Sequence, residues 1–516
     1  MYTGINREEE EESLAIRRMQ NVRKKYDVCI IGAGPASLSA LSALQQPEGI
    51  LKNDGMWSQW DLNKRKQSPS TMRELSICVI DPAGCWLNEW KGRFKSLGIE
   101  TLRSPAWATP EYFESGSGLL EFAHKTDRES ELHDIVLSKS ATKLLHRQQD
   151  SGLWTLPGAK LFEDFCENLV SELPHTFVKG AAEGIDKCND GSYDVKITGQ
   201  MEPAQANTII FALGAGVPNI PAVLSQMHRE NDRVVHTLSW MKTSAMQHVG
   251  EVVLVNGGGL SAAQAALEAL RRGAKRVILM SRRHMQSRHY DLPLEWMDAR
   301  LGWKVAGKDK YKSAKFRAFE FFECPKTERK AWIRSARGGA TVPGSYLEEL
   351  ERISTCDDRL ERWVDEIATV KTLQSGLLYL TFSRDNSPIV VDRIILATGS
   401  DLDMCKVPLL RRAADRYNLP VISQLPDINE ELQWGEENFY VVGALAMLQN
   451  GPDSGNLTGC RRAAAICAEK LGAFKSIVDY HSCGPLANPF SALIDDNEDT
   501  ESESESSSDS GEMDEK

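Results

Sequence analysis

Two stretches of the chain run apolar, turn through glycines and then become apolar at helical spacing. Residues 26–44, YDVCIIGAGPASLSALSAL, lead four apolar positions into Gly32, Ala33 and Gly34 before apolar residues recur three and four apart. That change of period predicts a buried strand, a tight turn and a helix. Residues 252–283, VVLVNGGGLSAAQAALEALRRGAKRVILMSRR, repeat the device and add a second strand that ends on two arginines. Two further strands, in ANTIIFALGAGVPNIP (206–221) and VDRIILATGSDL (391–402), run into A-x-G and read as crossings between two units. A last one, ENFYVVGALAMLQNGPDSGNLTG from residue 437, gives a strand, Gly443, a loop and a helix beginning near Asn456 and Leu457.

The predicted fold class is therefore α/β, with two Rossmann-like dinucleotide-binding units in one chain. Gly32 permits the first turn, and Gly34 lets the backbone approach a pyrophosphate, which sits at the helix start formed by Pro35, Ala36 and Ser37, where unpaired N–H groups favour an anion. The acid expected at the end of the next strand is Asp81, delayed by a polar stretch at 47–74 that reads as a surface insertion. In the second turn Gly257, Gly259 and Ser261 play the same parts. Arg282 and Arg283 stand where an acid would bind a free ribose, and either invite a 2′-phosphate or form a solvated basic turn. The acid-ended site suits FAD and the arginine-ended site NADPH. Two nucleotides in one chain imply hydride transfer between them.

Composition changes this picture little. The chain has 516 residues and a net charge of −12, but residues 495–516 hold eleven acids and one lysine. The rest is nearly neutral, which disfavours a nucleic-acid partner. The tail is expected to stay solvated and disordered, with serines open to an acid-directed kinase or a protein partner. No secretory segment and no run of about 18 apolar residues is found, so a cytoplasmic protein is expected. The eleven cysteines form no close pair, and Cys85, the one nearest the first site, reads as a buried small side chain more readily than as a reactive thiol. No Ser-His-Asp arrangement or metal cluster is visible. Residues 284–346, dense in aromatic and basic positions, read as a helical lid over the substrate and NADPH sites.

Taken in order, the first turn, DPAGCW, LRSP, the second turn, ATGS and GPDSGNLTG resemble the two-dinucleotide-binding flavoproteins over residues 26–472. Within them the chain is similar to the flavin-dependent monooxygenases of the lysine/ornithine N-hydroxylating and flavin-containing type, and more closely to a branch carrying LRSP and a GP…GNL.G.R terminus. The resemblance implies that Gly32, Gly34, Asp81 and Trp86 surround FAD, that Gly257, Gly259 and Arg282 hold NADPH, and that a small molecule is hydroxylated. It also departs from the pattern: HTLSW, 236–240, is all that survives of a longer fingerprint, with Glu230 and Asp232 at its phenylalanine and glycine positions, and Ser400 replaces a usual tyrosine. An NADPH oxidase, a quinone-type reductase or a nucleotide-binding redox regulator remain alternatives.

The expected organisation is a charged segment at 1–25, a flavin unit at 26–225, an NADPH unit at 226–384 carrying the insertion, a second flavin piece at 385–475, and a C-terminal segment at 476–516. Gly399 and Gly443 join the candidate cofactor contacts. The catalytic candidates are Asn456, which either holds the flavin ring or caps its helix, and His236, which either positions NADP or pairs with Trp240 in a packed helix.

Overall fold

The computed structural model describes residues 24–45, 75–111, 118–135, 155–214, 216–239, 247–293, 302–304, 311–313, 320–339, 341–384 and 386–472. The polar stretch at 47–74, Trp240 and the acidic tail lie outside the described residues.

The first unit is built on β1 (Lys25–Ile31), α1 (Pro35–Gln45), β2 (Ile77–Asp81), α2 (Asn88–Ser96), α3 (Ala159–Glu172), β3 (Thr176–Lys179), β4 (Ala182–Lys187), β5 (Tyr193–Ile197) and β6 (Ala204–Phe211). Its sheet runs β3-β2-β1-β6-β5-β4. The first four strands are parallel, while β4 and β5 form an antiparallel meander leading into β6. Parallel strands covered on both faces need continuous apolar runs, and Cys29, Ile30, Val79 and Ile80 are at most 1% exposed.

The second unit repeats the plan with β7 (Val234–His236), β8 (Val252–Asn256), α4 (Leu260–Arg271), β9 (Arg276–Ser281), α5 (Lys326–Arg337), α6 (Gly344–Cys356) and β10 (Leu360–Val364). An antiparallel meander of β11 (Ile367–Thr372), β12 (Leu378–Phe382) and β13 (Ile389–Val391) then feeds β14 (Arg393–Leu396). The sheet order is β7-β14-β8-β9-β10, parallel throughout. In both units the strand after the meander pairs with the strand before the glycine turn. The chain then returns to the first sheet, where β15 (Phe439–Val441) lies parallel to β6 and α7 (Leu457–Lys470) packs on α1.

Three points differ from the sequence reading. Arg393–Leu396 belongs to the second sheet, past the expected break at 384, because its partners β7 and β8 are remote in sequence; the crossing follows at Ser400–Asp401, paired antiparallel with Val217–Pro218. The insertion is only partly helical, since Gly302–Lys304 and Tyr311–Ser313 form an antiparallel hairpin. Of its described apolar residues, Tyr290, Leu292, Phe321, Ile333 and Ala336 join the core of the first unit, while Val342 joins the core of the second with Met285 and Tyr346 packed against it, so the insertion is packed on both units.

Candidate functional site

The two glycine turns use their glycines for different physical reasons. Gly32 has φ +112°, and a Cβ there would lie 2.6 Å from the Ala212 carbonyl oxygen at the end of β6. In the second turn a Cβ on Gly257 would lie 2.2 Å from the Ala397 carbonyl oxygen, just past β14. The first glycine of each turn is thus demanded by the neighbouring strand. The second is demanded by nothing in the protein: a Cβ on Gly34 or Gly259 would meet no atom within 4 Å. Both open onto free space at a helix start, where unpaired N–H groups and the helix dipole favour a pyrophosphate. The donor set therefore fits a dinucleotide at each turn.

Around the first turn, Pro35 and Ala36 start α1 half-buried, and Ser37 is fully buried with no partner for its hydroxyl. Asp81 ends β2 beside it, as the sequence suggested. Its two carboxylate oxygens accept the Ala33 N–H at 3.1 Å and the Ala83 N–H at 2.8 Å, so it braces the turn with lone pairs left over. Burial raises its pKa, partly offset by those two N–H groups. Trp86 is half-buried; its indole N–H donates to His175 Nε2 at 3.1 Å and its ring meets Phe177 edge-on, which directs it to the β3 side of the turn. Cys85 is exposed rather than buried, and no cysteine pairs with it among the described residues. Gly443 returns at the same end of the sheet: a Cβ there would sit 3.2 Å from that of Ala36.

In the second unit Ser261 is exposed in the first turn of α4, and Arg282 and Arg283 are exposed at the end of β9. Among the described residues no ion pair engages either guanidinium. A cleft of about 630 Å³ lined by Ser281, His284, Met285 and Trp363 adjoins them.

The catalytic candidates behave differently from expectation. His236 ends strand β7, in register with Leu396, and so is not the first residue of a helix. Two valines before it favour extension, and its Nδ1 accepts the Leu238 N–H at 3.1 Å in the turn that follows. It is fully buried beside the crossing at Gly399, itself exposed; burial lowers its pKa to about 4, against the Gly399 carbonyl. A neutral imidazole inside the crossing is the result. Asn456 occupies the cap position of α7 and Leu457 is buried at the first helical position, but the amide makes no capping bond. Its Oδ1 accepts from Arg337 Nη1 at 3.0 Å and its Nδ2 donates to Asp291 Oδ2 at 3.3 Å. Below it, Arg462 and Asp453 form a buried pair with Nη1–Oδ2 at 2.9 Å, exposed by 7% and 2%.

The arrangement is one seen before. The structure aligns with an ornithine N-hydroxylase of Kutzneria sp. 744, solved with reduced FAD, NADP+ and L-ornithine, at TM-score 0.62 and 16% identity, covering 88% of this chain and 100% of that one. The chain has the two-dinucleotide-binding flavoprotein fold. A cadaverine monooxygenase of Erwinia amylovora bound to FAD aligns at TM-score 0.62 and 13% identity, over 90% of this chain and 97% of that one. The ornithine hydroxylase of Pseudomonas aeruginosa gives TM-score 0.61 and 16% identity, over 87% and 99%. The family model described as L-lysine 6-monooxygenase/L-ornithine 5-monooxygenase matches residues 157–297, from just before α3 through the second glycine turn and both arginines. No curated protein matches the sequence.

Arg337, Asp291 and the buried Arg462–Asp453 pair escaped the sequence reading. Arg462 and Asp453 lie nine positions apart across a helix start, a spacing with no periodic signature. LRSP was visible as a motif, but its partners are more than 180 residues away.

Proposed function

We propose that the protein is an FAD-dependent, NADPH-using monooxygenase that N-hydroxylates a small amine. The observation that carries this reading is the duplicated turn, in which one glycine yields to a neighbouring strand and the next opens onto space that only a ligand would need. Supporting it are the match to the lysine/ornithine monooxygenase model and the shared fold with enzymes acting on ornithine and cadaverine. Bound FAD supplies the electron transfer and oxygen chemistry. The chain's part is to bind and orient. The α1 N-terminus with Gly34 and Ser37 would hold the flavin nucleotide, and the α4 N-terminus with Gly259 and Ser261 the nicotinamide one. Arg282 and Arg283, exposed at the end of β9, supply planar donors for a 2′-phosphate. Asn456, Asp291 and Arg337 are hydrogen-bonded to one another at the α7 N-terminus and are the polar groups that would face the flavin and a small substrate.

Purified holoprotein given NADPH, oxygen and a panel containing ornithine, lysine and cadaverine tests it. Amine-stimulated NADPH oxidation with hydroxylamine product is expected. Substrate-independent turnover would make the protein an oxidase or quinone-type reductase instead, and binding without flavin reduction a redox-sensing regulator; either result overturns the monooxygenase reading.

A further inference from the structure

The LRSP segment carries an arginine whose guanidinium is spent almost entirely on the insertion. Residues 102–106 are fastened to the first unit, with the Leu102 N–H on the Pro157 carbonyl and the Ala106 N–H on the Thr155 carbonyl, both 2.9 Å. From that base Arg103 donates Nε to the His289 carbonyl at 3.0 Å and Nη1 to Asp291 Oδ1 at 2.9 Å. Its Nη2 donates to the Arg288 carbonyl at 2.8 Å and to Thr341 Oγ1 at 3.3 Å. Gln286–Ser287 and Thr341–Val342 are paired strands, so one side chain pins the insertion where it leaves and where it returns.

The same side chain reaches the site through one intermediary. Asp291 takes Arg103 on Oδ1 and the Asn456 amide on Oδ2, and Arg337 bonds both the Asn456 amide oxygen and the Pro452 carbonyl, each at 3.0 Å. Arg103 is 12% exposed while Asp291 is 40% exposed, so the guanidinium is the more deeply set of the two. A rigid fork that satisfies an acid and three other acceptors fixes orientation as well as charge, which a lysine cannot do.

We propose that Arg103 is a positioning residue: it holds the insertion on the first unit and, through Asp291, sets the Asn456 amide at the α7 N-terminus. This deepens the proposed function, because Asn456 is taken there to face the flavin and substrate.

The test uses full-length FAD-loaded protein and the variants Arg103→Met, Arg103→Lys, Asp291→Asn and Asn456→Ala. Hydrogen exchange in peptides covering 286–291 and 341–342 reads the clasp, and the visible absorption spectrum of bound flavin reads its reach to Asn456. Arg103→Met should raise exchange in both segments by about tenfold or more, the loss of roughly one charge-assisted bond. It should also shift the flavin spectrum in the same sense as Asn456→Ala, with Arg103→Lys intermediate on both readouts. A merely structural clasp would loosen the insertion and leave the spectrum alone; that result, or unchanged exchange, overturns the proposal. If Arg103→Met does not fold, Arg103→Lys and Asp291→Asn, which keep the side-chain volume, answer the same two questions. An unchanged spectrum in Asn456→Ala would count against the placement of α7 beside the flavin, a failure of the functional reading, and would also overturn the reach assigned to Arg103.

Discussion

Gly34 and Gly259 separate folding from binding more cleanly than any other residues in the chain. Gly32→Val would force a side chain onto the Ala212 carbonyl in a left-handed backbone, so loss of flavin in that variant would report misfolding as readily as a lost site. A Cβ at Gly34 meets nothing within 4 Å. Gly34→Val is therefore expected to fold with the melting temperature of the FAD-stripped parent and to lose bound FAD, checked by the visible absorbance of the purified protein. Gly259→Val should keep the yellow colour and lose NADPH-driven reduction. At the second site Arg282→Ala should weaken NADPH use by about tenfold to a hundredfold over NADH use, the worth of a charge-assisted phosphate contact of about 1.5 to 3 kcal/mol. Arg283 stands next to it, so the double variant gives the stricter comparison, read by nucleotide titration of the holoprotein. These glycines and arginines were legible in the sequence because each sits within a few residues of the turn or strand end that defines its role.

At the scale of elements, legibility depended on whether partners are local. β1, α1, β8 and α4 announce themselves by period, whereas β14 joins the second sheet through strands more than 130 residues upstream in register. The packed-helix alternative for His236 gives way to a strand, which three residues are too few to show as a period. Its burial has a measurable consequence. Against the usual value of 6.5, a folded-state pKa of about 4 means that the unfolded chain takes up a proton first as pH falls. The stability is complete above about 6.5 and is lost as pH drops toward 4, by about 2 kcal/mol at pH 5. Denaturant titrations at pH 7 and 5 should show that extra loss in the parent protein and not in His236→Asn. The start of α7 gives a second test. Asp453→Ala leaves the Arg462 guanidinium buried and uncompensated, and should cost about 3 kcal/mol or more in chemical denaturation. Asp415→Ala, which removes an exposed pair with Arg411 at 3.9 Å, should change stability by less than about 0.5 kcal/mol.

For the whole molecule, one plan is used twice: parallel strands, a glycine turn, an antiparallel meander, and a strand that closes against the first. The duplication explains why the chain spans the full length of ornithine-hydroxylating relatives in structure at only 16% identity, since the plan needs apolar strands and four special glycines rather than particular side chains. The two crossings were legible as strands running into A-x-G, but the sequence could not show that they pair with each other or what else fastens the units together. The paired crossings at Val217–Pro218 and Ser400–Asp401 and the Arg103 clasp depend on contacts that appear only when distant segments meet. No described helix is long and apolar enough to cross a membrane.

A chain that binds two different nucleotides at its two glycine turns should pass a hydride from one to the other. Anaerobic stopped-flow mixing of FAD-loaded protein with NADPH or with NADH decides whether it does. NADPH should bleach the bound flavin, at an apparent affinity at least about tenfold tighter than for NADH. A flavin that neither nucleotide reduces, or equal rates and affinities for the two, would contradict this reading.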